Sequence, residues 1–122
     1  MSAKNAGQAG EQYAARYLEE KGYRVEARNF HSRYGEIDLI ASNQSYLVFV
    51  EVKERKAGGL VSPLEAVTPQ KKRRLIQTAV FYLGSHPTAL QPRFDVVAIL
   101  RAPDGSRQVT HIENAFEGGR GY

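Results

Sequence analysis

No cysteine occurs among the 122 residues, which excludes disulfides and thiolate zinc sites. That absence fits a reducing compartment. No apolar run approaches the roughly 18 residues needed to span a bilayer. No charged-then-apolar leader opens the chain, so a cytoplasmic protein without membrane contact is expected. Internal repeats and low-complexity tracts are also missing. Aspartate is scarce, with only Asp38, Asp95 and Asp104. The first two stand inside apolar, strand-like runs instead of the turns where aspartate usually belongs. What remains is the composition of an ordinary globular protein, 42% hydrophobic and 25% charged. The length predicts one domain with a core of its own. Seventeen Lys and Arg against 13 Asp and Glu leave a net charge of +4. Such a balance suits a polyanion partner and is also common among proteins that have none.

The hydrophobic pattern predicts helix, three strands, helix, two strands, a single α/β domain with its core over about residues 7–117. Residues 1–7 and 118–122 read as loose ends. The first helix spans Gly10 to Lys21, with Tyr13, Ala14, Tyr17 and Leu18 on one side and Gly22 placed to end it. Strands are expected at Arg24–Phe30, Glu36–Ala41 and Tyr46–Val52, the last so continuously apolar that it belongs at the centre, covered on both faces. Ser42-Asn43-Gln44-Ser45 makes the hairpin, and residues 56–62 form a flexible loop. Thr68 caps the second helix, Pro69 takes its first position, and Leu75, Ile76, Ala79, Val80 and Leu83 make its buried stripe before Gly84. Arg93–Leu100 and Gln108–Ile112 close the sheet around a Pro103-Asp104-Gly105 turn.

Glu51 and Lys53 end an apolar strand and share the face of Leu47 and Phe49. A hairpin symmetric about Asn43-Gln44 places Asp38 opposite Phe49 and diagonal to Glu51, about 7–8 Å away on that same face. A one-residue slip would separate the two carboxylates onto opposite faces. Side chains of this kind in an apolar strand need a partner or a use, because an unpaired buried charge costs several kcal/mol. A divalent ion such as Mg²⁺ or Mn²⁺ held by Asp38 and Glu51, with the Val52 carbonyl completing the shell, answers both the burial and the mutual repulsion. Lys53 would then add positive charge beside a phosphate. A structural alternative stands beside it: Glu51 pairs with Lys53 at an exposed strand end, and Asp38 with Arg33 or Arg55.

Gln70-Lys71-Lys72-Arg73-Arg74 opens the second helix, an end that favours anions over cations. Arg55 and Lys56 follow the third strand nearby. Docked phosphate would relieve the crowding of cations, so all seven are candidate nucleic-acid contacts; a solvated basic face is the alternative. Asp95 is expected to pair with an arginine or a turn amide. His31, His86 and His111 follow no ligand spacing, and Glu36 reads as a rim residue or an auxiliary ligand.

Gly35-Glu36-Ile37-Asp38-Leu39-Ile40 followed by Leu47-Val48-Phe49-Val50-Glu51-Val52-Lys53 resembles the core of the PD-(D/E)XK nucleases. Gly10-Glu11, Arg28-Asn29, Val67-Thr68 with Lys71, and Arg93-Phe94-Asp95-Val96-Val97 extend the resemblance to the YraN-like bacterial proteins, which are similar to archaeal Holliday junction resolvases. The resemblance implies a restriction-endonuclease-like mixed sheet flanked by helices. It assigns Asp38 and Glu51 to the metal, Lys53 to the catalytic lysine position, and Glu11 to the first-helix glutamate that joins the metal site. It also brings Gln70 and Lys71 towards the scissile phosphate. The proline of the motif's name is absent, since Ile37 precedes Asp38. The expected function is a metal-dependent endonuclease acting on DNA, branched or damaged, as a homodimer. The competing expectation is a nucleic-acid-binding or protein-interaction module that keeps the nuclease fold without turnover.

Overall fold

The apolar run beginning at Tyr46 lies where its composition demands, at the middle of a five-stranded sheet. The computed structural model describes residues 3–56 and 67–117, with side chains from residue 9 onward. In chain order the elements are α1 (Ala3–Glu20), β1 (Arg24–Ser32), β2 (Gly35–Ser42), β3 (Tyr46–Lys56), α2 (Pro69–Ser85), β4 (Gln91–Arg101) and β5 (Arg107–Phe116). The strands lie side by side in chain order, antiparallel except for the parallel pair β3–β4. A parallel pair needs a long crossover, and α2 stands in that connection. The result is one α/β domain with a mixed sheet.

Alternation along β3 divides the core into two layers. Val48 and Val50 pack with Leu39, Val97 and Ile99 against Ala14, Ala15 and Leu18 of α1. Leu47 and Phe49 pack with Ile40, Phe94 and Val96 against Leu75, Ala79 and Tyr82 of α2. Each helix therefore covers its own face of the sheet, which is why β3 has no polar side until Glu51. Gly22, at φ 96°, ends α1 as expected, with its N–H donating to Glu19 O and that of Tyr23 to Leu18 O. Thr68 caps α2 by accepting the Lys71 N–H at 3.2 Å, with Pro69 in the first turn.

Several boundaries differ from the sequence expectation. Helix α1 starts at Ala3, so residues 3–7 are helical, while residues 1 and 2 lie outside the described residues. Strand β3 runs on to Lys56 because β4 pairs with it as far as Lys56–Arg101. Arg55 and Lys56 are thus strand residues; the remainder of the expected loop, 57–62, and the tail 118–122 lie outside the described residues. Helix α2 passes through Gly84 and ends after Ser85, where the His86 N–H donates to Tyr82 O. Its buried stripe uses Thr78 and Tyr82 and leaves Val80 42% exposed. Val80 follows the buried Ala79 by 100° of helix, enough to carry it past the sheet's edge.

The hairpin register is shifted by two residues from the symmetric expectation. Ser42 pairs with Leu47 and Leu39 with Val50. The Asn43 side chain causes the shift. Its Oδ1 accepts from the N–H groups of Ser45 (2.9 Å) and Tyr46 (2.8 Å), imitating a backbone turn and centring the loop on Gln44-Ser45. A two-residue shift preserves the faces and moves Asp38 from a diagonal position towards one directly across from Glu51.

Candidate active site

Asp38 interrupts its own strand. Ile37 and Ile40 both belong to the α2 layer, with Leu39 and Ala41 in the α1 layer, so strict alternation breaks at Asp38. On β1 the pairing passes from Arg28–Leu39 to Phe30–Ile37, and the intervening Asn29 sits at φ 50°. The twist frees Asp38 to reach β3, where its Oδ2 accepts the Val52 N–H at 2.8 Å. Asp38 is 7% exposed and Glu51 is 5% exposed.

Burial first, then a shared hydrogen bond and repulsion with Glu51, pushes the Asp38 carboxyl up to about 9, against the partial relief of the Val52 amide. Glu11 of α1 joins them. Its carboxyl is raised by burial, while hydrogen bonds to the Asn29 side chain and Asp38 lower it in part.

Two ammonium groups face this cluster. Lys53 Nζ lies 3.8 Å from Glu51 Oε2, and Lys71, from the first turns of α2, makes a close ion pair with the same oxygen. Burial and the neighbouring Lys71 lower the Lys53 ammonium. Burial also pulls on Lys71, but its contacts with Glu51 and Lys53 outweigh it and raise the group. Glu51 Oε2 is buried, with these two ammoniums as its polar neighbours.

These residues line a cleft of about 210 Å³ formed by Gly10, Glu11, Glu36, Asp38, Glu51, Val52, Lys53, Glu54 and Lys71. Carboxyls outnumber ammoniums there five to two. Among the described residues, no three His, Cys, Asp or Glu side chains form a ready-made metal cage. The donor chemistry nevertheless fits a hard divalent cation. Five carboxyl side chains crowd their oxygens into the cleft, with the Lys53 and Lys71 ammoniums already beside them.

Glu54 and Arg107 were not singled out by sequence reasoning, and Asn29 was named only in the Arg28-Asn29 pair of the resemblance, without a role. Glu54 accepts from Arg107 Nε at 3.2 Å, and that guanidinium lies 5.2 Å from the Tyr13 ring centre. Gly10 lies against Glu54 of β3, and the next residue of α1, Glu11, enters the cleft. The signal available in the sequence was the Gly10-Glu11 pair itself. Glu36 is exposed at the rim and bound to His31 Nε2 at 2.7 Å.

The basic run at the start of α2 does not make one patch. Helical rotation turns Lys71 into the cleft and sends Lys72 to the Phe116 ring, 5.7 Å away, beside β5. Arg74 packs at Gly35 in the β1–β2 turn, while Gln70 and Arg73 are exposed. Arg55 and Lys56 are exposed beyond Lys53. Asp95 lies outside the cleft and finds the arginine and the amide expected of it, Arg93 and the Asn114 N–H.

Fold and cleft together define an α/β domain with a buried carboxylate cluster at the meeting of its two central β-hairpin strands and its first helix. The chain belongs to the family described as "Uncharacterised protein family UPF0102", matched over residues 10–99, which is the YraN-like family of the sequence resemblance. A UPF0102 protein of Syntrophomonas wolfei is 49% identical over 108 residues, covering 88% of this chain and 93% of its own length. One from Symbiobacterium thermophilum is 49% identical over 117 residues, covering 93% and 98%. Another from Rhodococcus jostii is 49% identical over 113 residues, covering 90% and 94%. Among the described residues, no helix is long and apolar enough to cross a membrane.

Proposed function

We propose that this protein is a divalent-metal-dependent endonuclease of the PD-(D/E)XK type, hydrolysing phosphodiester bonds of DNA. The observation that carries the reading is the convergence of Glu11, Asp38 and Glu51, from three separate elements, on one cleft beside the Lys53 and Lys71 ammoniums. A structural ion pair needs one carboxylate; three brought together also suit the oxygen ligands a divalent cation takes. The mixed sheet with a helix layer on each face supports the nuclease-like placement.

Asp38, Glu51 and Glu11 would hold Mg²⁺ or Mn²⁺, with the Val52 carbonyl as a further candidate ligand. Bound there, the ion supplies a polarised phosphate and a water of lowered pKa. The protein's own groups do the rest. Lys53 places its ammonium beside the charge that grows on the phosphoryl oxygens as water attacks and the P–O bond breaks. Lys71 neutralises Glu51 and offers a second cation at the same phosphate. The Val52 N–H and the Asn29 side chain hold Asp38 and Glu11 in place. Lys72, Arg73, Arg74, Arg55 and Lys56 add sequence-independent attraction for the backbone. Cutting both strands of a duplex with a site of this kind calls for a homodimer.

A second reading has one observation in its favour. Lys71 already neutralises Glu51, and no ready-made cage exists among the described residues. A module that binds nucleic acid or protein without turnover would tolerate both. Cleavage of linear, nicked and four-way DNA in Mg²⁺ separates the two. The nuclease reading expects Asp38→Ala and Lys53→Ala each to lower cleavage at least about a hundredfold. Wild-type cutting no faster than that of both variants would leave the binding module as the function.

A further inference from the structure

The outward side of α2 carries a feature that the cleft does not use. Phe81 is 50% exposed, an unusual cost for an aromatic ring on a charged surface. Its ring centre lies 6.3 Å from that of Phe30 and 6.4 Å from that of Tyr34, so the three form an aromatic cluster over the β1–β2 turn. Phe30 is held from below by Tyr82 at 5.0 Å, edge to face, which makes the cluster a supported surface. Arg33 lies 5.0 Å from the Tyr34 ring centre and donates to its hydroxyl at 2.8 Å. Arg74, on the same stripe of α2 as Phe81, is exposed as well. Among the described residues, neither Arg33 nor Arg74 forms an ion pair.

The charges identify the occupant. A second copy of the chain docked here would bring two sets of unpaired guanidiniums together, which costs affinity. An acidic protein would answer the charge but has no special use for three flat rings. An unpaired nucleotide answers both, a phosphate for the arginines and a base for the rings.

Position along the helix ties this surface to the cleft. Lys71, Arg74, Thr78 and Phe81 fall at steps of three, four and three residues, one stripe of the helix surface. Lys71 touches Glu51, Arg74 packs at Gly35, and Phe81 meets Tyr34. Ten residues of helix put Phe81 ~15 Å from Lys71. That distance is about four nucleotides at the stacked rise of ~3.4 Å, and fewer in an extended strand. We propose that Phe30, Tyr34 and Phe81, with Arg33 and Arg74, form a stacking platform for an unpaired base of a DNA strand a few nucleotides from the phosphate in the cleft. The substrate class is then DNA with a single-stranded segment, a flap, gap or tail, in preference to continuous duplex. Only the location of that phosphate rests on the nuclease reading; the platform does not.

The test is binding by the full chain in chelator, where cleavage is off. Its probes are a short fluorescent duplex that is blunt or bears a few unpaired nucleotides at the 3′ or 5′ end, with 2-aminopurine placed in the tail. The wild type is expected to bind one tailed duplex about tenfold more tightly than the blunt one, with the 2-aminopurine quenched. Phe81→Ala, a change at an exposed position, should abolish both the preference and the quenching; Phe81→Trp should keep them. Equal preference in wild type and Phe81→Ala overturns the platform, and so does failure of the wild type to bind either DNA. A wild-type dimer that Phe81→Ala dissociates without touching the tail preference reassigns the patch to self-association. Tail-selective binding without cleavage in Mg²⁺ leaves the platform standing and removes the nuclease reading. Cleavage without tail selectivity does the reverse.

Discussion

Asp38 and Asp95 stand in apolar stretches of β2 and β4, each almost wholly buried, and their carboxyls are driven in opposite directions. Asp95, 1% exposed, is surrounded by donors. Arg93 reaches it through Nε at 2.9 Å and Nη2 at 2.8 Å, His111 Nε2 lies at 2.7 Å, and the Asn114 N–H donates at 3.0 Å. Burial alone would raise its carboxyl, yet His111, Arg93 and the Asn114 amide together hold it below the usual carboxylate range. The Arg93 guanidinium is fixed in turn by the Tyr23 hydroxyl at 2.6 Å. Asp38 instead receives one amide and two further carboxyls, and its proton is held far above the normal range. A buried acid with all its lone pairs answered is a structural bolt. One packed against other carboxyls keeps its proton instead, and that difference sets the two buried acids apart.

Removing Asp95 should give the largest effect. Asp95→Ala leaves Arg93 buried without its partner and frees the β5 bulge at Asn114, a loss of about 3–5 kcal/mol. Thermal unfolding should register it as a drop of more than about 10 °C. A drop no larger than that of an exposed control would show the network to be dispensable.

Asp38→Asn should move stability the other way. The amide keeps an acceptor for the Val52 N–H and needs no proton taken up on folding. In chelator the variant should melt higher by on the order of 1 kcal/mol, about 4 °C for a domain of this size. Mg²⁺ should then raise the wild-type midpoint and leave that of the variant unchanged, since only the wild type has the full set of carboxylates to bind it. If the variant melts lower in chelator, the crowding at Asp38 is not a strain on the fold.

The third effect is a slope. The folded chain keeps a proton on Asp38 that the unfolded chain, near the ordinary 3.8, releases. Stability of the ion-free wild type therefore falls as pH rises from about 4 towards about 9, and Asp38→Asn should flatten that fall. The depressed Asp95 carboxyl gives the opposite sign. Its stabilisation is complete above the ordinary carboxylate range and is lost as acid protonates it. Unfolding midpoints measured from about pH 5 to about pH 8 check the first slope; parallel curves for wild type and Asp38→Asn would reject it.

Much of this was legible in the residue order because it depends on local rules. Period-two alternation put Glu51 and Lys53 on one face of β3, and the continuous apolar run before them placed that strand at the centre. Thr68 and Pro69 marked the start of α2, and Gly22 marked the end of α1. What was misplaced depended on side chains acting over a distance. The hairpin register turned on how the Asn43 carboxamide folds back on two amides, which symmetry of the loop does not contain. The buried stripe of α2 turned on where the sheet ends beneath Val80.

By itself, then, the order of residues determined which charged side chains stand in apolar strands and which face of which element bears them, since periodicity and capping act within a few neighbours. Only the folded chain decided how they meet. The packing of α1 on the sheet brings Glu11 to the cleft, the break in alternation at Asp38 aims it at β3, and helical rotation scatters the basic run, leaving Lys71 as its one member on Glu51. Those are contacts between segments far apart in the chain. Their geometry is set by packing, to which no local pattern has access.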